Sequence, residues 1–512
     1  MRLPRLAVLV LAVLATGCVV LFRGVKVESV TPGAGTTITT RSRAHLLDGS
    51  TVLFPLGFQV EGATVKGSGT RYRLRLDQGT PVSGIPLDSI AGIESYTGTS
   101  NPGASIGVSL LASAGVTVAG SLLAVAIFGS CPTIYADSAG ALALEAEGFS
   151  YSIAAAFESR DVDRLRVQPG RDGIVRLEVR NEALETHFLN QLGLLEVRHH
   201  AGEIVAPDPS GRPLALRDLH PLQGIQDAGG DDQTATLAAA DERATHSPAT
   251  LLAAASESRL SERLEFDLAV PAGADSVALY LRARNSLLTT VLFYDVMLAR
   301  QGAGAVAWVG AELGEVGPLA ALGRWASSEL GLHVQVREAT GWREVVRVAD
   351  PGPIAWKDIA ILLPANGPPV RRVRLEYLID NWRIDRLASA AWRRPEVSAL
   401  TPRRVTGPDR AEDRQALGAI QAADPQYLET QPGDRFELEF VVGPLGPGES
   451  RTLLLVAQGY YTEWIRPAWI AHAKAPLKFE PGRPALLDAV RRWAREQGSL
   501  EQRFYSTRIP VR

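Results

Sequence analysis

From Val25 to Tyr96 the chain alternates apolar and polar residues in short runs separated by glycine-bearing turns. Asp48-Gly49 stands between two apolar runs, and Gly67-Ser68-Gly69 marks a second hairpin. After it Tyr72, Leu74 and Leu76 alternate with Arg71, Arg73 and Arg75. A period of two puts successive side chains on opposite faces of a strand, and Asp-Gly suits a tight hairpin turn. Residues 24–96 are therefore expected to form a small barrel of five or six strands, SH3-like, with the arginines on its solvated face.

The same period returns after Asp137, and there it repeats itself. "VRLEVRNEALETHFLNQL" from Val175 to Leu192 resembles "VRLEYLIDNWRIDRL" from Val373 to Leu387. "DDQTATLAAAD" from Asp231 to Asp241 resembles "DRQALGAIQAAD" from Asp413 to Asp424, and the paired runs from Arg263 and from Arg435 come in the same order. Three correspondences in one order read as a duplication, giving two related β-sandwich-like domains over 130–305 and 306–475. Ala201 to Gly230, rich in proline and glycine, reads as a linker or long connection. Leu319, Leu322, Ala326 and Leu330 recur at helical spacing and insert a helix into the second domain. Pro484 at a start, Leu486, Val490 and Trp493 on one face and Gly498 after the stop predict a helix within 476–512.

Two stretches break the pattern by carrying almost no charge. The first is "MRLPRLAVLVLAVLATGC", with Arg2 and Arg5 before an apolar run from Leu6 to Leu14 and a small-residue end at Ala15-Thr16-Gly17-Cys18. It resembles a bacterial lipoprotein signal, although such signals usually carry a larger aliphatic residue where Ala15 stands. The resemblance implies a lipoprotein-type signal over 1–18, with Cys18 lipidated and the peptide before it removed, and Val19 resembles the residue that sends such proteins to an outer membrane. The second is an apolar helical segment over 105–129. Gly107 to Phe128 has no charged residue and is long enough to cross a bilayer. Its Gly115/Ala119 and Gly120/Ala124 spacings also suit close packing inside protein. The acidic flank of Asp137, Glu145, Glu147 and Glu158 argues against a cytoplasmic side for the chain beyond Phe128.

Composition narrows the function. With 46% hydrophobic and 21% charged residues the chain is globular, and a net charge of −3 gives no footing for nucleic acid. Two cysteines, Cys18 and Cys131, support neither a disulfide scaffold nor a thiolate zinc site. Gly302 to Ala307 fits a dinucleotide fingerprint without the βα context that motif needs, and Ser105 in "GASIG" lacks the strand-to-helix elbow of a hydrolase. The eight histidines show no ligand spacing, and the pairs Asp161/Asp163 and Asp231/Asp232 read as solvated loops. No catalytic residue, metal or cofactor is expected. The nine tryptophans are more distinctive. Trp464 and Trp469, with Tyr460 and Tyr461 just before them, are the candidate ligand platform, since flat rings suit the apolar face of a sugar.

"FGSCPTIYADSAGALALEAEGFSYSIAAAFESRDVDRL", continuing through "RNEALETHFLNQLGLLEVRH" to "AADPQYLETQPGDRFELEF", resembles a family of uncharacterised bacterial envelope or secreted proteins. The resemblance implies one architectural unit over most of Ser130 to Tyr461 and implies no activity. The expectation is a mainly β envelope lipoprotein with periplasmic domains. It would touch the bilayer through Cys18 and through Gly107 to Phe128, and would bind or scaffold a protein or glycan partner. The alternative is an exported hydrolase of envelope glycan or lipid, which a convergent pocket with perturbed carboxylates would favour.

Overall fold

The computed structural model describes residues 23–30, 33–72, 79–100, 132–138, 141–153, 155–271, 273–305, 316–364, 369–464 and 481–506. Cys18, Ser105, Gly107 to Phe128, Cys131 and Trp469 lie outside the described residues. The fold is mainly β, as the alternating pattern requires.

Eight strands form the amino-terminal unit: β1 (Arg23–Val30), β2 (Thr37–Ile38), β3 (Ser42–Leu46), β4 (Thr51–Phe54), β5 (Phe58–Glu61), β6 (Thr64–Tyr72), β7 (Thr80–Pro86) and β8 (Ile90–Ser100). They make one nearly closed sheet in the order β1-β8-β3-β4-β6-β5-β2, with β7 on β6. Val52, Phe54, Phe58, Val65 and Ile93 fill it. Gly67 and Gly69 are not at a hairpin but inside β6, which pairs with β4, β5 and β7 in turn. A Cβ on either glycine would come within 2.9 Å of a backbone oxygen across the sheet, so the bend of β6 needs both.

The remaining strands fall into two repeats, each of two halves. The first repeat holds β9 (Thr133–Ser138), β10 (Ala141–Glu147), β11 (Ser159–Leu165), β12 (Ile174–Arg180) and β13 (Glu185–His200). It continues with β14 (Ile204–Pro207), β15 (Pro213–Pro221), β16 (Gln226–Asp227), β17 (Ser261–Ala269) and β18 (Ser276–Asn285). The second repeat holds β19 (Leu332–Glu338), β20 (Gly341–Val348), β21 (Lys357–Pro364), β22 (Val370–Leu378) and β23 (Trp382–Arg393). Its other half is β24 (Glu396–Leu400), β25 (Arg404–Thr406), β26 (Leu428–Thr430), β27 (Arg435–Val441) and β28 (Glu449–Glu463).

These halves are exchanged. One sandwich packs the sheet β10-β9-β12-β27-β25 on the sheet β11-β28-β13-β24, with β26 beside β13. The other packs β20-β19-β22-β17-β16 on β21-β18-β23-β15-β14. Apart from the added β14 and β26, the strand orders match one for one when β9 to β13 are laid on β19 to β23, and β15 to β18 on β24, β25, β27 and β28. Each sandwich therefore joins the first half of one repeat to the second half of the other. The antiparallel pairing of β13 with β28 runs from Glu185↔Glu463 to His200↔Glu449, and that of β17 with β22 from Ser261↔Leu378 to Ala269↔Val370.

The expected sequential domains, 130–305 and 306–475, thus match the repeats and not the sandwiches. The inner sandwich is contiguous, from β14 to β23, and is inserted into the outer one. The reason lies partly at Arg394-Pro395, the two residues between β23 and β24. A two-residue hairpin calls for residues such as Asn-Gly or Gly-X. Arg394-Pro395 supplies neither, and the chain crosses into the other sandwich. Ala201 to Gly230, expected as a linker, contains β14, β15 and β16. Pro207, Pro213 and Pro221 stand at strand ends, where a missing N–H costs little.

Five α-helices complete the described fold: α1 (Ala249–Ala253), α2 (Leu288–Val291), α3 (Val316–Leu330), α4 (Arg414–Ile420) and α5 (Arg483–Ser506). α5 buries Leu486, Val490 and Trp493 in the same apolar cluster as α2, the π-helical turn Leu292–Leu298 and Leu322, Ala326 and Leu330 of α3. It continues through Gly498, expected as its stop, to Ser506. Among the described residues no helix is long and apolar enough to cross a membrane.

Candidate functional site

The barrel is fixed to the outer sandwich by a buried charged contact. Arg43 pairs with Glu94 at 3.0 Å, reaches the Glu463 carbonyl oxygen at 3.4 Å and lies over the Trp464 ring. Tyr72 meets the same ring edge-on, with centroids 5.4 Å apart. Trp464 is 1% exposed and donates its indole N–H to Thr186 Oγ1 at 3.0 Å. Tyr460 and Tyr461 are wholly buried in β28, Tyr460 stacked on Phe188 and Tyr461 donating to the Ser150 carbonyl. This corrects the expected ligand platform. Three of its four rings are interior anchors, because long β28 lies at the centre of its sheet, and Trp469 lies outside the described residues.

The structure instead points to the seam between the sandwiches. Val162, Val197, Leu454 and Val456 of the outer sandwich pack on Val205 and Ala215 of the inner one. Beside this apolar seam is a cleft of about 340 Å³. One wall is β11 and the residues before it, with Tyr151, Ser159, Arg160 and Asp161. The facing wall is the end of β20 and the start of β21, with Asp350, Lys357 and Asp358. The β14–β15 turn, Pro207 to Gly211, closes a third side. Gly211 there has φ +78°, and a Cβ on it would fall 2.7 Å from the Val162 side chain, so glycine lets the turn press onto β11.

β11 and β21 are corresponding edge strands of the two repeats, and their charged residues interlock. Lys357 Nζ is 2.5 Å from Asp161 Oδ2 and 3.0 Å from Asp163 Oδ1. Arg164 Nη1 donates to Asp358 Oδ2 at 2.8 Å, while the Tyr280 hydroxyl donates to Asp358 Oδ1 at 2.6 Å. Asp161 also accepts the backbone N–H groups of Phe149 and Val162. Asp208 is used up within its turn by Ser210 and Arg212. Behind the wall Glu147 accepts the N–H groups of Ile354 and Ala355, at 2.5 and 2.8 Å, tying β10 to the loop before β21.

Asp350 differs from these. It is 3% exposed, its Oδ1 accepts Gly352 N–H at 2.9 Å, and the Thr289 hydroxyl lies close enough to help hold its charged form. Burial, with the Glu147 charge adding to it, pushes its carboxyl up to about 7. Asp163, buried and repelled by Asp161, rises to about 8 against the opposing pull of Lys357. Burial opposes charge on Lys357, but the facing aspartates prevail and hold its ammonium well above the usual range. The cleft therefore offers hydrogen-bonding and ion-pairing groups on rigid strands, with one buried carboxyl partly protonated near neutrality.

Asp161 and Asp163 were expected in a solvated loop. Their two-residue spacing does signal one face of a strand, but not that this face would meet β21 nearly two hundred residues later. Asp350 and Lys357 carry no local signal of a site. Among the described residues no three His, Cys, Asp or Glu side chains are grouped to hold a metal ion.

No protein-family model and no curated protein matches this chain. Among solved structures, a GH31 α-xylosidase from Xanthomonas citri aligns over 85% of this chain and 38% of its own, at 9% identity and a TM-score of 0.15. The infectious bursal disease virus Gx strain structure aligns over 94% and 88%, at 10% identity and a TM-score of 0.13. Superpositions this poor carry no argument about fold or function.

Proposed function

We propose that this chain is a lipid-anchored protein of the bacterial envelope that binds a small ligand in the cleft between its sandwiches, without catalysis. The observation that carries the reading is the cleft itself. Its walls come from matched strands of the two repeats, and Asp161, Asp208, Lys357 and Asp358 are each bonded to the protein. Groups so engaged shape and charge a pocket, whereas acid–base chemistry needs a second free group beside Asp350.

Attachment rests on the sequence around Cys18. Arg23 pairs with Ser100, so the described barrel begins and ends at neighbouring positions of one sheet. The barrel and outer sandwich touch directly through Arg43, Tyr72, Glu463 and Trp464, which favours one side of the bilayer for both. On this reading Gly107 to Phe128 lies on the membrane or against protein and does not make a single crossing, and Val19 directs the chain to the outer membrane.

Feeding cells an alkyne fatty acid tests the anchor. The wild type should take up label and sediment with membranes, and Cys18→Ser should do neither; equal labelling of the two proteins would overturn it. A tag near Gly498 should react once the outer membrane is opened, and reaction only after lysis of the cytoplasm would refute the periplasmic placement.

The raised Asp350 carboxyl favours one alternative, the exported hydrolase with Asp350 as general acid. Turnover of envelope glycan or lipid esters by the wild type, abolished in Asp350→Asn, would replace the binding reading.

A further inference from the structure

We infer that the ligand of the cleft is a small carboxylate with an apolar body, its charged end held by Arg160. This rests on the binding reading above and names its ligand class.

Pairing within the protein decides which lining charge is left over. Asp161 and Lys357 hold each other at 2.5 Å, and Asp163 takes a second contact from the same ammonium at 3.0 Å. Asp358 is paired with Arg164 and bonded by the Tyr280 hydroxyl, and Asp208 is paired with Arg212. Asp350 is buried, its carboxyl held by the Gly352 N–H and the Thr289 hydroxyl. Of the charged residues lining the cleft, Arg160 is the one whose side chain is exposed and has no hydrogen-bond or ion-pair partner among the described residues.

The strand sets where that guanidinium lies. On β11 Asp161 and Asp163 share one face and meet Lys357, while Arg160 and Val162 share the other. That second face meets the β14–β15 turn: a Cβ on Gly211 would fall 2.7 Å from the Val162 side chain and 3.2 Å from Arg160 Nη1. The guanidinium therefore stands beside the turn that closes the third side of the cleft. Around it the wall offers little else to a polar ligand. Pro207, Pro209 and Pro351 have no N–H to donate, and the N–H groups of Ser210 and Gly211 are spent on Asp208. Val348 and Ile359 add aliphatic surface.

One unmatched cation beside proline and aliphatic walls selects a ligand with one negative charge and an apolar remainder. A guanidinium takes a carboxylate bidentately, and charge-assisted bonds of this type are the stronger ones. An organic cation would meet Arg160 and find every acid of the lining engaged. A dianion such as phosphate would bring its second charge towards Asp161 and Asp358 with no second free cation to meet it. A neutral sugar would leave the guanidinium unmatched. A volume of about 340 Å³ is at the small end of ligand pockets, enough for an acid of about six carbons.

The full-length protein in detergent micelles is titrated calorimetrically at pH 7 with hexanoate, hexylamine, hexanol and inorganic phosphate. Arg160→Gln in the same micelles serves as the reference for uptake by detergent. Hexanoate should bind the wild type and bind Arg160→Gln about ten-fold or more weakly. Arg160→Lys, which keeps the charge and loses the planar fork, should fall between them. Ser210→Trp, which leaves Arg160 in place but fills the mouth from the β14–β15 turn, should weaken hexanoate too. Arg160 is exposed and unpaired, so its substitutions test the ligand and not the fold.

Hexanoate binding equal in the wild type and Arg160→Gln overturns the inference. Hexylamine, hexanol or phosphate bound as tightly as hexanoate overturns the carboxylate, and loss of that binding in Ser210→Trp leaves the binding reading standing. Failure of all four probes overturns the inference and removes the cleft as support for that reading.

Discussion

Lys357 on β21 lies 2.5 Å from Asp161 on β11, an ion pair between corresponding strands of the two repeats. Asp163 shares the same ammonium at 3.0 Å, and all three groups are largely withdrawn from water. Removing one member of a buried set leaves the others unpaired and desolvated, at a cost of about 3–5 kcal/mol. Lys357→Met should therefore lower the free energy of urea unfolding by that amount. Adding Asp161→Asn and Asp163→Asn to Lys357→Met should recover much of the loss.

Stability should vary with pH through the same cluster. Asp163 rises to about 8 and Asp350 to about 7 in the folded chain, against 3.8 for an ordinary aspartate. Between about pH 4 and 8 the folded state then holds protons that the unfolded state has lost, and stability falls as pH rises. Asp163→Asn removes its own share of that dependence and leaves that of Asp350. Its melting temperature relative to wild type should be higher at pH 8.5 than at pH 4, and a constant difference would contradict the assignment.

His187 works in the opposite direction. Burial drives its imidazole down to about 3, so the unfolded chain, with an ordinary value of 6.5, takes up a proton that the folded chain refuses. Stability contributed here is present above pH 6.5 and lost as pH falls towards 3. Acid unfolding of His187→Gln should set in at lower pH than that of the wild type when each is referred to its own stability at pH 7.

The exchange of halves is open to a covalent test. His200↔Glu449 and Ala269↔Val370 are paired positions contributed by different repeats. Cysteines introduced at each pair should oxidise within one chain, and the two bridges should form together in the quadruple variant. Mass spectrometry of non-reduced peptides should find both links, which sandwiches built each from a single repeat would not allow.

Trp493 ties α5 to the turn between β22 and β23 through a 2.6 Å bond from its indole N–H to Asp380 Oδ2. Asp380 is also gripped by Arg383 and by the backbone N–H of Ser247. Trp493→Phe keeps most of the apolar contact and removes the donor, and should cost about 1–3 kcal/mol in denaturant unfolding.

The matching strand order was partly legible in the sequence: the runs from Val175 and Val373 form β12 and β22, and those from Arg263 and Arg435 form β17 and β27, strands at corresponding places in each case. The strand exchange was not legible, because backbone pairing carries no label of which copy a strand belongs to. Only the turn chemistry at Arg394-Pro395 hints at it. The cleft was hidden for the same reason: Asp161, Asp350 and Lys357 become neighbours only once two edge strands distant in sequence are aligned. The aromatic run from Tyr460 to Trp464 misled in the other direction. Rings that suit a sugar platform suit a barrel-docking interior equally well, and sequence alone does not distinguish the two.

The inner sandwich needs only β14 to β23 and is complete once β23 has been made, whereas β12 and β13 wait for β27 and β28, the last strands of the described chain. Contacts so far apart in sequence form slowly and leave apolar strands uncovered meanwhile. During synthesis, Leu189, Leu192 and Leu194 emerge long before the strands that shelter them. Folding order thus runs against chain order, and a chain cut short before β27 would strand its own beginning.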